Sequence, residues 1–423
     1  MKYKSYDYPS MRILTAKTDK FKNCYIEINF REDIRNVDPA SRVFLSQLMV
    51  YNSALYKTRR DLRIKQEELY NLELGCSCER NGFNLITTIS IDFLDPKFIN
   101  DASYLEKCLS FLLDIIKNPN INADTWELSA YEVIKERLHV AIDNYKESPS
   151  SFAKVNFLKE LFKGEIPGRR LIDSHEQINS VTHKSLVGDY KEMIEKSFCE
   201  ISIIGNLDME MISNKITSMF IKPMIITKEI PSYINNEPQK YHEIFSESKY
   251  TQTQVLMGYL LDELTYKERF YVIPIFNRIF GYGNLSDKLG KYLRMDNSLC
   301  YSYSTNFCLS DSYAFILTGI KKENISTTVS YIKKAFNEMS KKAFESSKLE
   351  TKKNQFLREL DLEQDNIYGI ANHMYSHYIF DVPLYEEFKA GIMSVTKDDI
   401  ATFTKKMHLT LLYVQKEEDN ERN

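Results

Sequence analysis

The chain repeats itself once, at a period the size of a domain. In the first half a strand-like run, NCYIEINF (23–30), leads to a helix-like SRVFLSQLMVYN (41–52) and a charged helical stretch, KTRRDLRIKQEELYNLEL (57–74). A strand pair follows, CSCER (76–80) and FNLITTISIDF (83–93), then two helical segments at 104–118 and 122–142. In the second half TQVLMGYLL (253–261) precedes YVIPIFNRIF (271–280) and LSDKLGKYL (285–293). Strands near CYSYSTNF (300–307) and SYAFILTGI (312–320) come next, and again two helical segments, 325–340 and 348–363. The order is the same and the offset is roughly 220–230 residues, which signals duplication of a domain and not a solenoid. CEISIIGNLD (199–208) and LTLLYVQ (409–415) read as the closing strands of the two halves. Between the halves, 221–250 holds three prolines and the pair Asn235–Asn236, the composition of a linker. Apolar and polar positions alternate in the strand runs, as in antiparallel sheets with one face covered by helices. The expected fold is α+β, with two homologous domains, each a mainly antiparallel sheet covered by helices. Their expected bounds are 1–222 and 250–423, joined by a linker at 223–249.

Composition supports two sizeable cores and narrows the function. Of 423 residues, 43% are hydrophobic and 13% aromatic, which argues against wholesale disorder. The formal net charge is −3, so no basic excess draws nucleic acid or an anionic membrane. The first twenty residues contain no apolar core of a signal peptide, and no apolar run is long enough to span a bilayer. Seven cysteines, an odd number, fit a reducing compartment. The expected location is the cytoplasm, with no nucleic-acid or membrane partner.

Several motifs look chemical and fall short. His373 and His377 in HMYSH share a helical face, but the residues between them are Met374, Tyr375 and Ser376, so no glutamate supplies a base. Cys76 and Cys78 lack the second cysteine pair that zinc sites use and read as partly buried free thiols. The basic run KTRRDLRIK (57–65) is followed at once by Gln66, Glu67 and Glu68 and reads as a solvated helix face. GYG (281–283) follows a helix-like segment, not a strand, and lacks the third glycine of a dinucleotide loop; by itself it is a helix C-cap and turn. No nucleophile elbow is present. Arg294 and Tyr301 stand out after that turn, an arginine and a tyrosine seven positions apart.

The stretch GYGNLSDKLGKYLRMDNSLCYSYS (281–304) resembles the C-terminal G-x-x-x-S-x-L…L-R-E-x-x-x-L-A-Y-S run of the pitrilysin/insulinase-type zinc peptidases. ISIIGNLD and the order of elements resemble that family too, over about residues 20–415. TDKFKNCYIEINFR (18–31) resembles its YmfF-like subgroup, whose members lack the zinc box. The resemblance implies that Arg294 and Tyr301 are a substrate-binding pair. Active relatives carry H-x-x-E-H on the helix after the first strand, two zinc-binding histidines and a glutamate base. The matching residues here are Val43, Phe44, Leu45, Ser46 and Gln47. Val43, Ser46 and Gln47 therefore occupy degenerate zinc-box positions, and Glu132, near the third-ligand position, holds no metal alone. The resemblance implies no cofactor in this chain and zinc in a partner, the H-x-x-E-H subunit of a heterodimer acting on peptides. This chain would then be the non-catalytic subunit that completes the partner's active site. The rival readings are a structural or peptide-binding scaffold with no part in proteolysis, and an independent metalloenzyme built on His373 and His377.

Overall fold

Eleven principal strands form two sheets in the structure, a computed structural model that describes residues 2–219 and 230–418. The first sheet contains β1 (Tyr3–Tyr8), β2 (Met11–Lys17), β3 (Asn23–Asp33), β4 (Glu73–Asn81), β5 (Asn84–Leu94) and β6 (Phe198–Gly205), in the order β1-β2-β6-β3-β5-β4. Only β2 and β6 run parallel. The second contains β7 (His242–Ser248), β8 (Thr253–Leu261), β9 (Cys300–Cys308), β10 (Tyr313–Ile320) and β11 (Met407–Glu417), in the order β9-β10-β8-β11-β7. Here only β7 and β11 run parallel. Aligned on their parallel pairs, the second sheet repeats five strands of the first, with β9 in the place of β4. The α+β class and the two homologous domains expected from the repeat are therefore present.

Two compact units emerge, and neither is a continuous stretch of chain. The first comprises 1–143, 171–232 and 363–381; the second comprises 144–170, 233–362 and 382–423. In the first unit the helix Ile367–Phe380 lies on β2, β3 and β6. In the second the helix Pro149–Phe162 lies on β8, β10 and β11. Residues along β8 alternate between the faces that these layers create. Val255, Met257, Tyr259 and Leu261 join the main helical core, while Leu256 and Leu260 meet Ala153, Phe157, Leu161 and Phe162. Gly258 has no side chain because Phe157 occupies the space: a Cβ there would lie 2.6 Å from the ring's Cζ.

Several local expectations shift. The charged helix ends at Glu68, since Tyr70 and Asn71 take positive φ, and Glu73 and Leu74 already belong to β4. The helix expected from 122 begins at Leu128; a two-residue hairpin, Ile121–Asn122 with Thr125–Trp126, precedes it. Within the stretch read as linker, 223–229 lies outside the described residues and 242–248 forms β7. Among the described residues no helix is long and apolar enough to cross a membrane.

Candidate functional site

The loop from 281 to 304 is organised by a buried carboxylate. The helix Ile273–Phe280 stops at Gly281, whose N–H still donates to Asn277 O at 2.9 Å. A side chain at 281 would collide with Thr305 and Leu289, and Gly283 takes φ +97, a backbone open to glycine. Asp287 is fully buried. Its Oδ2 accepts from the backbone N–H groups of Gly283 and Asn284 at 3.1 and 3.0 Å. Its Oδ1 accepts from Gly290 N at 2.7 Å and lies 2.8 Å from Tyr303 Oη. Burial pushes the Asp287 pKa up, and these donors pull against it. Sequence reading missed Asp287, although an Asp ahead of a short helical run, three residues before Gly290, is an N-cap signal.

That framework delivers Arg294 and Tyr301 to one place. Arg294 lies in a single π-turn, Lys291–Met295. The chain then reverses at Ser298, where φ is +48, and enters the edge strand β9. Cys300 pairs with Ile320 and Tyr303 with Thr318, so Tyr301 and Ser302 together oppose Gly319. Such a bulge re-aims side chains. Tyr301 is 86% exposed, with the Arg294 guanidinium carbon 5.7 Å from its ring centroid. Arg294 has no carboxylate within ion-pairing distance among the described residues. Beside the pair is an open depression of about 350 Å3 bordered by Gln252, Ser298, Tyr301, Gly319 and Lys321, and no carboxylate lines it. Gln252 and Lys321 were not foreseen from the sequence. A half-buried cation, an exposed phenol and an unpaired strand edge together can hold an extended, electron-rich chain.

Val43, Ser46 and Gln47 sit on the helix Pro39–Met49. Val43 and Gln47 share its half-exposed side, and Ser46 is buried, its hydroxyl donating to Val43 O at 2.9 Å. Valine has no donor atom, and the serine hydroxyl is already engaged, so this set does not fit a zinc ion. Glu132 is exposed on the helix Leu128–Glu147. Among the described residues no three His, Cys, Asp or Glu side chains gather to hold a metal. His373 and His377 pack around the Tyr3 ring, and His373 Nδ1 is 2.9 Å from Tyr3 Oη. Cys76 and Cys78 are free thiols on β4, and burial pushes Cys78 up to about 12. The basic run lies on the helix Arg59–Glu68, with Arg63 paired to Glu67 and Lys65 to Glu68.

The chain is similar in sequence and fold to several known proteins. Residues 180–356 match the family described as Peptidase M16 inactive domain. The chain is 22% identical over 408 residues to the Bacillus subtilis (strain 168) protein named "Probable inactive metalloprotease YmfF", covering 95% of this chain and 94% of that one. Among solved structures, a conserved protein from Enterococcus faecalis V583 superposes with a TM-score of 0.92 at 20% identity, over 99% of both chains. A peptidase M16 inactive domain from Pseudomonas fluorescens superposes at 0.80 with 15% identity, over 99% of this chain and 98% of that one. Sequence and fold together bear out the resemblance: this chain is similar to the proteins described as inactive M16 peptidases and shares their fold.

Proposed function

We propose that this chain is the non-catalytic subunit of a cytoplasmic heterodimeric zinc peptidase, and that it lends Arg294 and Tyr301 to peptides cleaved by an H-x-x-E-H partner. The observation that carries the reading is the geometry of the pair. An arginine without a carboxylate and a tyrosine with its ring in solvent are held together on a bulged sheet edge. The zinc of the partner supplies the hydrolytic chemistry. The residues of this chain bind and orient the peptide backbone. The guanidinium keeps its charge at any working pH and offers donors in a fixed fork. With the phenolic O–H, it is suited to meet the negative charge that grows on a carbonyl oxygen during acyl transfer.

The test is an assay of unstructured peptides with three samples: this chain plus zinc, an H-x-x-E-H relative from the same cell, and the two combined. The reading predicts cleavage that needs the combination. Robust zinc-dependent cleavage by this chain alone overturns it.

A further inference from the structure

The first sheet carries a carboxylate without a cation. Glu27, on β3, accepts from Tyr25 Oη at 3.1 Å and from Asn29 Nδ2 at 3.2 Å. Asn29 is fixed in turn by Thr88 Oγ1, which donates to its Oδ1 at 2.6 Å. All these donors are neutral. The nearby cations are engaged elsewhere: Arg31 Nε donates to Glu200 at 2.7 Å, and Arg80 Nη1 donates to the Gly82 carbonyl at 2.9 Å. No ion pair reaches Glu27 among the described residues. Burial pushes its pKa up, because no positive charge offsets the lost hydration.

Glu27 borders a cavity of about 460 Å3 between the sheet and the helix Ile367–Phe380. That volume exceeds the share of one liquid water, about 30 Å3, many times over. Its walls are rich in aromatic rings. Tyr25 and Tyr368 meet edge to face at 5.1 Å, and Tyr375 and Phe380 continue the lining. Asn372 and Ser376 add polar atoms from the helix, and the charged groups Glu79 and Arg80 stand on β4. The architecture does not demand such a space. In the second unit the matching face is filled by Phe157, Leu161, Phe315 and Tyr413.

We propose that this cavity binds an organic ammonium ion, with Glu27 as its counter-charge and Tyr25 and Tyr368 as an aromatic wall. A carboxylate beneath aromatic rings is the arrangement that selects alkylammonium groups over neutral ones, since both interactions vanish with the charge. The ammonium belongs either to a lysine side chain or to a free alkylamine. The site is in a different unit from Arg294 and Tyr301 and stands whether or not they contact substrate.

Titration calorimetry on the full chain tests it, with Nα-acetyl-lysine amide and cadaverine as probes and Nα-acetyl-norleucine amide as the neutral control. The expected result is saturable binding of at least one cation and none of the control. Preference for the lysine amide assigns a peptide source, and preference for cadaverine assigns a free amine. Glu27→Gln weakens binding about ten-fold or more, the loss of one charge-assisted contact. Ser376→Tyr narrows the cavity from the helix side and weakens binding, which keeps the test decisive if the Glu27→Gln variant does not fold. The proposal is overturned if neither cation saturates up to about 10 mM, an affinity already weaker than most specific contacts give. It is equally overturned if the norleucine amide binds as well as the lysine amide, or if Ser376→Tyr binds like the parent.

Discussion

An aromatic residue left 86% exposed on a sheet edge contributes little to the core, so Tyr301→Ala should leave stability within about 0.5 kcal/mol of the parent in urea melts. Asp287 is the opposite case. Asp287→Ala strands the N–H groups of Gly283, Asn284 and Gly290, while the Tyr303 hydroxyl keeps the Asn284 carbonyl as acceptor. We expect a loss of about 2–4 kcal/mol in the same melts, several times a surface substitution. Glu27 gives a pH-dependent prediction. Its folded-state pKa is raised by burial. The stability it contributes is therefore full below the ordinary carboxylate range, about 4.3, and is lost as pH rises through the folded value. An amide at this position never ionises. Glu27→Gln should melt like the parent near pH 4 and above it at pH 8; a difference that shrinks with rising pH contradicts this. At this scale the sequence was only partly legible. Spacing and resemblance singled out Arg294 and Tyr301. Asp287 and Glu27 look in sequence like ordinary turn and strand residues, because burial is a property of neighbours that arrive from distant segments.

At the scale of elements, order was legible and coverage was not. Hydrophobic periodicity reveals that a strand or helix exists, and the repeat revealed their sequence. It does not say which sheet a helix will cover. Nothing in the local pattern of Pro149–Phe162 assigns it to strands a hundred residues onward, or Ile367–Phe380 to β6. The edge strands β1 and β7 escaped because they are rich in charged and polar residues, as in YKSYDY and HEIFSES, which edges favour and which mute the apolar signal. The packing of Phe157 on Gly258 makes the assignment testable. Phe157→Ala should cost about 3–5 kcal/mol through the cavity it leaves. Gly258→Ala should cost about 1–3 kcal/mol through overpacking. Combined, the two should cost less than their sum, because the smaller residue at 157 makes room for the new methyl group. Strict additivity in chemical denaturation would place Phe157 away from that glycine.

For the whole molecule, both sheets and their cores are in place, and the helix Pro39–Met49 carries a valine, a serine and a glutamine at 43, 46 and 47. The protein alone should therefore bind no stoichiometric zinc after dialysis against the metal, as read by elemental analysis. The central claim is that its contribution to peptide cleavage is a cation and a phenol lent to another subunit's chemistry. The direct measurement is kcat/KM of the reconstituted pair carrying Arg294→Ala or Tyr301→Phe, with assembly followed in parallel by sedimentation. The account predicts a fall of about 10²–10³ for Arg294→Ala, the effect of removing one donor to a developing negative charge, a smaller fall for Tyr301→Phe, and unchanged assembly in both. Full cleavage by a pair carrying both substitutions would contradict it.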